Sequence, residues 1–268
     1  SSSVTQTSAV ITWTAASPAP SSGYNIYYST SSSAPTGGTT PSASVGAGIT
    51  TYTIGGLTPG QIYYVWVRSN CGSSAYSSWT SSINFTTTSC GGAGYYYYRS
   101  ISSGNWSISS TGTWERSSDG SSWSGTSTTP TSSNCCCARI QSGHTITLNA
   151  DITAPNTIVD ANGTLAISNN AITYGNGYVV TNNGTITVSV GGSQVSAWDN
   201  KGLVINGTGT LINNGTITIN TGGTLTLSST ASGAKIINYG TIDNYGGSFS
   251  KISECIYLYI AIYGGINI

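Results

Sequence analysis

The sequence predicts an all-β protein in which a β-sandwich is followed by a parallel β-solenoid. Two patterns predict this fold. Short alternating segments at regular spacing occupy the first third of the chain, and Asn-Gly-Thr followed by alternating aliphatic residues recurs through the second half. A period of two places one face of a strand inward, and a motif that recurs at similar spacing indicates stacked coils. At 268 residues, two domains are expected.

The first domain is predicted over residues 1–88. Its strands are expected at segments separated by Ser, Pro and Gly, namely 9–13, 24–28, 51–54, 62–68 and 83–86. Trp13 is expected on the second strand of the module. Leu57-Thr-Pro-Gly-Gln-Ile-Tyr63 resembles the Leu-x-Pro-x-x-x-Tyr corner of fibronectin type III modules. The resemblance implies a β-sandwich that acts as a spacer or adhesive bead, and it implies no chemistry.

A second part of this domain resembles the version of the module in large secreted bacterial surface proteins. The similar residues run from Asn70-Cys71-Gly72 to Cys90, and in those proteins the two cysteines pair. The resemblance therefore implies a Cys71–Cys90 disulfide. The outward side chains of Tyr28, Tyr64 and Trp66 would form an aromatic strip for stacking on sugar rings, and ordinary interdomain packing is the alternative.

Residues 89–100 are predicted to be a Gly/Tyr linker, and residues 101–139 a Trp-rich cap. The segments around Trp106, Trp114 and Trp123 resemble the opening of right-handed parallel β-helix domains in the same kind of bacterial surface protein. A solenoid end exposes unpaired strand edges and apolar interior. The three tryptophans are therefore expected to act as a lid on the first coil.

The solenoid is predicted over residues 140–255. Asn-Gly tolerates a positive φ, so each Asn-Gly-Thr copy is expected to be a turn that feeds a strand. Gly163 to Gly184 spans 21 residues and Gly184 to Gly207 spans 23, which suits one coil each. Variants follow at Gly222 and Tyr239. Candidate N-glycosylation sites are Asn84, Asn105, Asn162, Asn183, Asn206 and Asn214, although a tight corner explains the Asn-Gly copies equally well.

Composition limits the class of partner. Charged residues are only 5% of the chain and the formal net charge is zero, against about 25% charged residues in ordinary proteins. No nucleic acid partner is expected. No apolar run reaches the roughly 18 residues that a membrane span needs. The chain is expected to be extracellular, at a bacterial cell surface, with Ser1 a processed N-terminus or a fragment boundary.

No catalytic or metal-binding residue is predicted, and no cofactor is expected. β-Helices also occur in polysaccharide lyases and glycoside hydrolases, but Asp151, Asp160, Asp199 and Asp243 are scattered singly, whereas glycoside hydrolysis normally needs two flanking carboxyl groups. The single histidine, His144, precedes a strand and is read as a turn residue.

The remaining cysteines are Cys135, Cys136, Cys137 and Cys255. Three adjacent cysteines cannot all point at one tetrahedral zinc ion. An even count in a chain suited to secretion favours oxidised pairs. A bridge from the triplet to Cys255 within the chain and a bridge between subunits are the two alternatives.

The C-terminal segment, residues 256–268, is predicted to be a hydrophobic strand. It places Ile256, Leu258, Ile260 and Ile262 on one face and Tyr257, Tyr259 and Tyr263 on the other, without a charge to protect its edge. It is either the last coil of its own solenoid or an assembly strand that adds to a neighbouring copy.

The function predicted from these features is a non-catalytic structural or adhesion protein, a self-associating subunit of a surface filament that carries glycans or contacts them. A polysaccharide-binding or polysaccharide-degrading module of a secreted enzyme is the alternative. A passive stalk fragment is the third reading.

Overall fold

The computed structural model describes residues 3–89, 94–189, 201–228, 233–252, 259–262 and 265–267. The chain divides into two compact units, residues 1–90 and 91–268. The regular elements of the described residues are all β-strands. This confirms the all-β prediction.

The first unit contains the antiparallel strands β1 Ala9–Thr12, β2 Tyr24–Ser29, β3 Ala43–Val45, β4 Thr51–Ile54, β5 Ile62–Gly72, β6 Ala75–Tyr76 and β7 Ile83–Thr86. Strand β1 pairs with β4, and a second sheet has the order β3-β2-β5, with β6 and β7 both on β5. Ile11 and Ile54 on the first sheet and Ile26 and Val65 on the second are buried. The predicted sandwich is confirmed, and the short strands β3 and β6 were not predicted.

The corner that carried the family resemblance is present. The backbone N–H of Thr58 donates a hydrogen bond to Oη of Tyr63 at 3.0 Å. Leu57 is fully buried. The hydroxyl of Tyr63 thus fixes the turn before β5 to the strand itself, which is the interaction that the sequence motif predicts.

The described residues of the second unit form twenty-one further strands, β8 Tyr96–Ser100, β9 Gly104–Asn105, β10 Trp114–Ser117, β11 Ser124–Gly125, β12 Cys135–Ile140, β13 Thr145–Leu148, β14 Ile152–Thr153, β15 Asn156–Val159, β16 Thr164–Ser168, β17 Ala171–Tyr174, β18 Val179–Asn182, β19 Thr185–Ser189, β20 Gly202–Asn206, β21 Thr210–Asn213, β22 Thr216–Asn220, β23 Thr224–Ser228, β24 Lys235–Asn238, β25 Thr241–Tyr245, β26 Ser248–Ile252, β27 Tyr259–Ile262 and β28 Gly265–Asn267.

These strands form three sheets of parallel neighbours. The first sheet has the order β8-β12-β15-β18-β21-β24-β27 and continues beyond β8 with antiparallel β10 and β11. The second sheet has the order β9-β13-β16-β19-β22-β25-β28, and the third β14-β17-β20-β23-β26. From β12 to β26, each coil contributes one strand to each sheet in the same sequence, which is the construction of a parallel β-helix.

Like side chains stack in rows inside the β-helix. On the second sheet the row is Ile146, Leu165, Ile186, Ile217 and Ile242, all essentially inaccessible to solvent and paired in register. Each such side chain contributes about 1.5 to 3 kcal/mol on burial. Because it buries its surface against the coils on either side, no coil is stable alone.

The Asn-Gly-Thr motif occupies two different corners of the coil. The copies at Asn162, Asn183 and Asn214 and the variant at Tyr239 precede strands of the second sheet, whereas the copy at Asn206 precedes β21 of the first sheet. Gly184 is therefore followed in the next coil by Gly215, as the pairing of Thr185 with Thr216 shows. The prediction that Gly184 and Gly207 are equivalent was wrong, because the same motif serves two corners of one coil.

Close approach of the coils, rather than a positive φ, explains most of these glycines. A Cβ atom at Gly184, Gly215 or Gly240 would lie 2.3, 2.1 or 2.0 Å from a backbone oxygen of the preceding coil. A positive φ occurs in the motif at Asn162, where it is 62°, and at Gly207, where it is 59°. The stacked glycines, named here the glycine stack, let consecutive backbones touch.

Three predicted boundaries change. Residues 96–100, predicted as linker, form β8 of the first sheet, because the β-prone tyrosines pair with β12. The first complete coil begins at Cys135, inside the predicted cap region. Within the predicted C-terminal strand, β27 and β28 pair in parallel with β24 and β25 and so extend the coil stack.

Candidate functional site

Three buried asparagines form a ladder along one corner of the β-helix. Asn182, Asn213 and Asn238 end successive strands of the first sheet and are inaccessible to solvent. Nδ2 of Asn182 donates to Oδ1 of Asn213 at 2.8 Å, and Nδ2 of Asn213 donates to Oδ1 of Asn238 at 2.7 Å. Nδ2 of Asn182 and Nδ2 of Asn213 also donate to the carbonyl oxygens of Thr216 and Thr241, respectively. Nδ2 of Asn238 donates to the carbonyl oxygen of Gly240. The asparagine ladder satisfies buried backbone acceptors at each turn.

Replacing Asn213 with alanine should lower the free energy of unfolding of the β-helix by about 3 kcal/mol. The change removes two donated hydrogen bonds and one accepted bond, and it leaves the buried amides of Asn182 and Asn238 short of a partner. Urea denaturation followed by circular dichroism measures the loss. Asn206→Ala is the control, because Asn206 is exposed and should change stability by no more than about 0.5 kcal/mol. Equal losses in the two variants would contradict a structural role for the ladder.

The candidate glycosylation sites fall into two groups. Asn84, Asn105, Asn162 and Asn206 are exposed. Asn183 and Asn214 are half-buried, and Nδ2 of Asn214 donates to Oδ1 of Asn183 at 2.8 Å. Nδ2 is the atom that an N-linked glycan would occupy, so a glycan on Asn214 would break this bond. Glycosylation stays a prediction, and the four exposed asparagines are its better candidates.

The oxidation state of Cys71 in the first unit differs from the prediction. Cys71 is an exposed free thiol, so the implied Cys71–Cys90 disulfide is not formed in this structure. Cys90 lies outside the described residues. The register between β5 and β6 shifts between Asn70 and Gly72. Such a bulge redirects the side chain within it, which the spacing of cysteines in a sequence does not report.

The cysteine triplet opens strand β12. Cys136 is disulfide-bonded, whereas Cys135 and Cys137 are free and buried. Cys255 lies outside the described residues. The register between β12 and β8 shifts between Cys135 and Cys137, which places Cys136 at an irregularity of the strand. Of the three adjacent candidates, the structure therefore assigns disulfide bonding to Cys136 and corrects the expectation for the other two.

Burial makes the two free thiols of the triplet unreactive. Burial raises the pKa of Cys137 to about 12 and that of Cys135 well above its usual range. The thiolate is the nucleophile. At pH 8 we expect iodoacetamide to alkylate Cys71 in the folded protein and to leave Cys135 and Cys137 unmodified. Peptide mapping by mass spectrometry measures this, and the same reaction in urea, where all three should react, is the control. Rapid alkylation of Cys137 in the folded protein would contradict its burial.

The expected aromatic strip of the first unit is only partly exposed. Trp66 is buried, with the rings of Tyr27 and Tyr64 at 5.8 and 6.3 Å from its own, and Tyr28 and Tyr64 are half-buried. Arg68, on the same strand, is only 5% exposed and lies 4.4 Å from the ring centre of Trp79. The prediction of an exposed sugar-stacking face was therefore wrong for Trp66.

The buried guanidinium of Arg68 was missed by sequence reasoning. It lies 4.1 Å from the ring centre of Tyr76, and its Nη1 donates to the carbonyl of Gly37 at 2.7 Å. Two aromatic faces and a carbonyl thus hold the cation. The signal in the sequence was an arginine in an aromatic-rich strand.

The tryptophans expected as a cap lie beside the first coils. Trp106 and Trp114 are completely buried in the core of the β-helix, with ring centres 5.4 Å apart. Nε1 of Trp114 donates to the carbonyl of Trp106, and Nε1 of Trp106 donates to the carbonyl of Pro130, each at 3.0 Å. Trp123 is half-buried beneath Arg99, which pairs with Glu115.

His144 contacts a buried serine side chain rather than the backbone carbonyls expected for a turn histidine. Its Nδ1 lies 2.8 Å from Oγ of Ser100, and this buried hydroxyl also accepts the backbone N–H of Gln141 at 2.9 Å. The hydroxyl hydrogen of Ser100 is then available for Nδ1. The pair ties β8 to the turn before β13.

Three of the described carboxylates form ion pairs or hydrogen bonds with nearby residues. Asp160 pairs with Arg139 at 2.9 Å and Asp151 pairs with Lys201 at 3.1 Å. Hydrogen bonds from Ser117 and from the backbone of Ser121 and Ser122 hold the pKa of Asp119 well below its usual range. Among the described residues no group of His, Cys, Asp and Glu could hold a metal ion. Asp199 and Glu254 lie outside the described residues.

The structure describes only part of the predicted assembly strand. Tyr259, Ile260 and Ile262 lie on β27, which pairs with β24 of the same chain. Ile256, Tyr257, Leu258 and Tyr263 lie outside the described residues. The described part of the segment is thus a last coil of its own solenoid, and addition to another copy stays a prediction.

Comparison with known proteins identifies the first unit. Residues 1–85 match the family described as Fibronectin type III domain. The first unit is a fibronectin type III domain. The buried corner formed by Leu57 and Tyr63 is the part of this domain that the sequence resemblance predicted.

The other comparisons add little. A crystal structure of the pectate lyase Pel3 from Pectobacterium carotovorum is 14% identical, covers 96% of this chain and 84% of that chain, and has a TM-score of 0.27. These values are too low to transfer any property of that enzyme. No curated protein matches the chain. Within the described part of the chain, no helix is long and apolar enough to cross a membrane.

Proposed function

We propose that this chain is a non-catalytic structural module of an extracellular surface assembly, and that copies of it associate through the C-terminal end of the β-helix. Fibronectin type III domains and parallel β-helices are both typical of extracellular proteins. The proposal rests chiefly on how the β-helix is built.

The observation that carries the proposal is the unbroken ladder from β12 to β28. Parallel pairing continues through consecutive coils in all three sheets. The asparagine ladder and the glycine stack lock the corner between the first and second sheets over three coils. Interactions that repeat with each coil make a stiff rod, and stiffness is the property that a spacer or fibre needs.

The described charges support the same reading. Asp151, Asp160 and Glu115 each pair with a neighbouring cation. Asp243 lies on the second sheet, and Asp160 follows β15 of the first. These carboxylates hold local structure at separate places, whereas glycoside hydrolysis normally uses two carboxyl groups that flank one site.

The two ends of the β-helix differ. At the beginning, the outer edge of β8 in the first sheet is paired with antiparallel β10, which in turn pairs with β11. At the other end, the strand orders formed by the described residues finish at β27, β28 and β26. A strand edge that lacks a partner is a template for another chain. Because β10 covers the first edge of the first sheet, we expect the C-terminal edge of one copy to add to a different surface of the next, a contact that does not close and so propagates into a filament.

Negative-stain microscopy and analytical ultracentrifugation of the purified chain test the proposal. We expect filaments from the full chain and monomers from a chain that ends at residue 255. The fibronectin type III domain should melt at the same temperature in both proteins. Monomers of the full chain at high concentration, or the same filaments from the shortened chain, would contradict the proposed association. Release of unsaturated sugars from pectate by the purified chain would contradict the non-catalytic reading.

A further inference from the structure

The outward face of the second sheet carries two columns of threonines. Strands β13, β16, β19, β22 and β25 pair in parallel, and their inward residues are the buried aliphatic row. The first outward column is Thr145, Thr164, Thr185, Thr216 and Thr241. The second is Thr147, Ala166, Thr187, Thr218 and Asp243. We name these ten positions the threonine face.

The spacing of this face is regular. The register passes through all five strands without a shift. Neighbouring strands lie about 4.8 Å apart, and alternate residues along a strand lie about 6.6 Å apart. Flat parallel sheets are stabilised by stacked side-chain ladders, and the asparagine ladder lies at the corner from which β19, β22 and β25 leave. The threonines therefore occupy a two-dimensional grid of positions with regular backbone spacing.

The hydroxyls of this grid are available to a ligand. Across the described ranges, no hydrogen bond to protein involves a side-chain hydroxyl of these eight threonines, each of which is half-exposed or exposed. Some threonine hydroxyls elsewhere on the β-helix are used: Thr157 donates to the carbonyl of Pro155, and Thr221 donates to that of Tyr245. The unused hydroxyls of the threonine face are, in addition, regularly spaced along and across its strands.

We propose that the threonine face binds the surface of ice. A grid of hydroxyls and methyl groups with two fixed repeats is complementary to a solid with matching repeats, and hexagonal ice presents oxygen atoms at comparable spacings. The ten positions contain no aromatic ring on which a sugar could stack and no cation for an anionic ligand, and Asp243 is the single charge among them. This inference is independent of the proposed function, because a monomer could display the same face.

Thermal hysteresis and inhibition of ice recrystallisation test the inference with the full chain. We expect both effects from the unchanged protein. Thr187→Arg and Thr218→Arg, which place a long cation in the middle of the grid, should each remove most of the hysteresis at equal protein concentration. Thr173→Arg is the matched control, because Thr173 is a half-exposed threonine on β17 of the third sheet, and it should retain full hysteresis.

Folding is checked by comparing the thermal unfolding curves of all variants with that of the unchanged chain. Thr187→Ser keeps the hydroxyl and should retain part of the hysteresis. If an arginine variant is unstable, the serine variant still tests whether the hydroxyl grid is needed. Absence of ice shaping by the unchanged chain would overturn the inference. Equal loss in Thr187→Arg and Thr173→Arg would also overturn it, as would binding to crystalline cellulose or chitin, without any effect on ice, that Thr187→Arg abolishes.

Discussion

Replacing Gly215 with alanine is expected to lower the free energy of unfolding of the β-helix by about 3 kcal/mol or more. The added Cβ would lie 2.1 Å from the carbonyl oxygen of Gly184, far inside contact distance. Both atoms belong to backbone that is locked by parallel pairing, since Thr185 pairs with Thr216 directly beside them. Relief therefore requires two coils to separate, which also strains the adjacent asparagine ladder.

A glycine in the same β-helix supplies the control for this experiment. Gly175 has no atom within 4 Å of an added Cβ, and its φ is outside the positive range. Gly175→Ala should therefore change stability by less than about 1 kcal/mol. Urea denaturation followed by circular dichroism compares the two variants. If Gly215→Ala is as stable as Gly175→Ala, the coils do not approach each other as closely as the glycine stack requires.

Replacing Trp114 with alanine is expected to cost about 3 to 5 kcal/mol and to loosen the first coils. The side chain is completely buried against Trp106, and its Nε1 satisfies the carbonyl of Trp106. Its removal leaves a large cavity and an unpaired carbonyl where β10 covers the edge of β8. Hydrogen exchange should then accelerate most in β8 and β12, next to the cap.

Trp123 provides the matched control within the same cap. It is half-buried and contacts the guanidinium of Arg99 at 4.1 Å from its ring centre. Trp123→Ala should cost about 1 kcal/mol, mainly from the lost cation–π contact. Uniform acceleration of exchange along the whole β-helix in Trp114→Ala, with no preference for β8 and β12, would show that Trp114 does not act as a local cap.

The fold was predictable wherever a local sequence pattern is specific to one structural element. Alternating aliphatics predicted the strands, and the Leu57-to-Tyr63 motif predicted the corner of the sandwich. The coil register was not predictable from the motif alone, because Asn-Gly-Thr serves both the corner before β19 and the corner before β21. Its chemistry is the same in both places, so only the pairing of strands distinguishes them.

The interactions that distinguish this β-helix depend on residues far apart in sequence. Asn182, Asn213 and Asn238 each look like an ordinary turn residue, and their ladder exists only when the coils are in register. Cys71 is free, and it lies at a register shift between β5 and β6 that no cysteine spacing reveals. Arg68 was likewise unrecognised, since its partners Tyr76 and Trp79 reach it through tertiary packing.

The length of the β-helix is set by the number of its coils. The antiparallel strands β10 and β11 cover the first sheet at β8, where this length begins. Every coil after it adds one strand spacing, about 4.8 Å, to the length of the rod. Inserting or deleting whole coils between the cap and β28 would therefore change that length in discrete steps while leaving the rows of aliphatic side chains and the asparagine ladder in register.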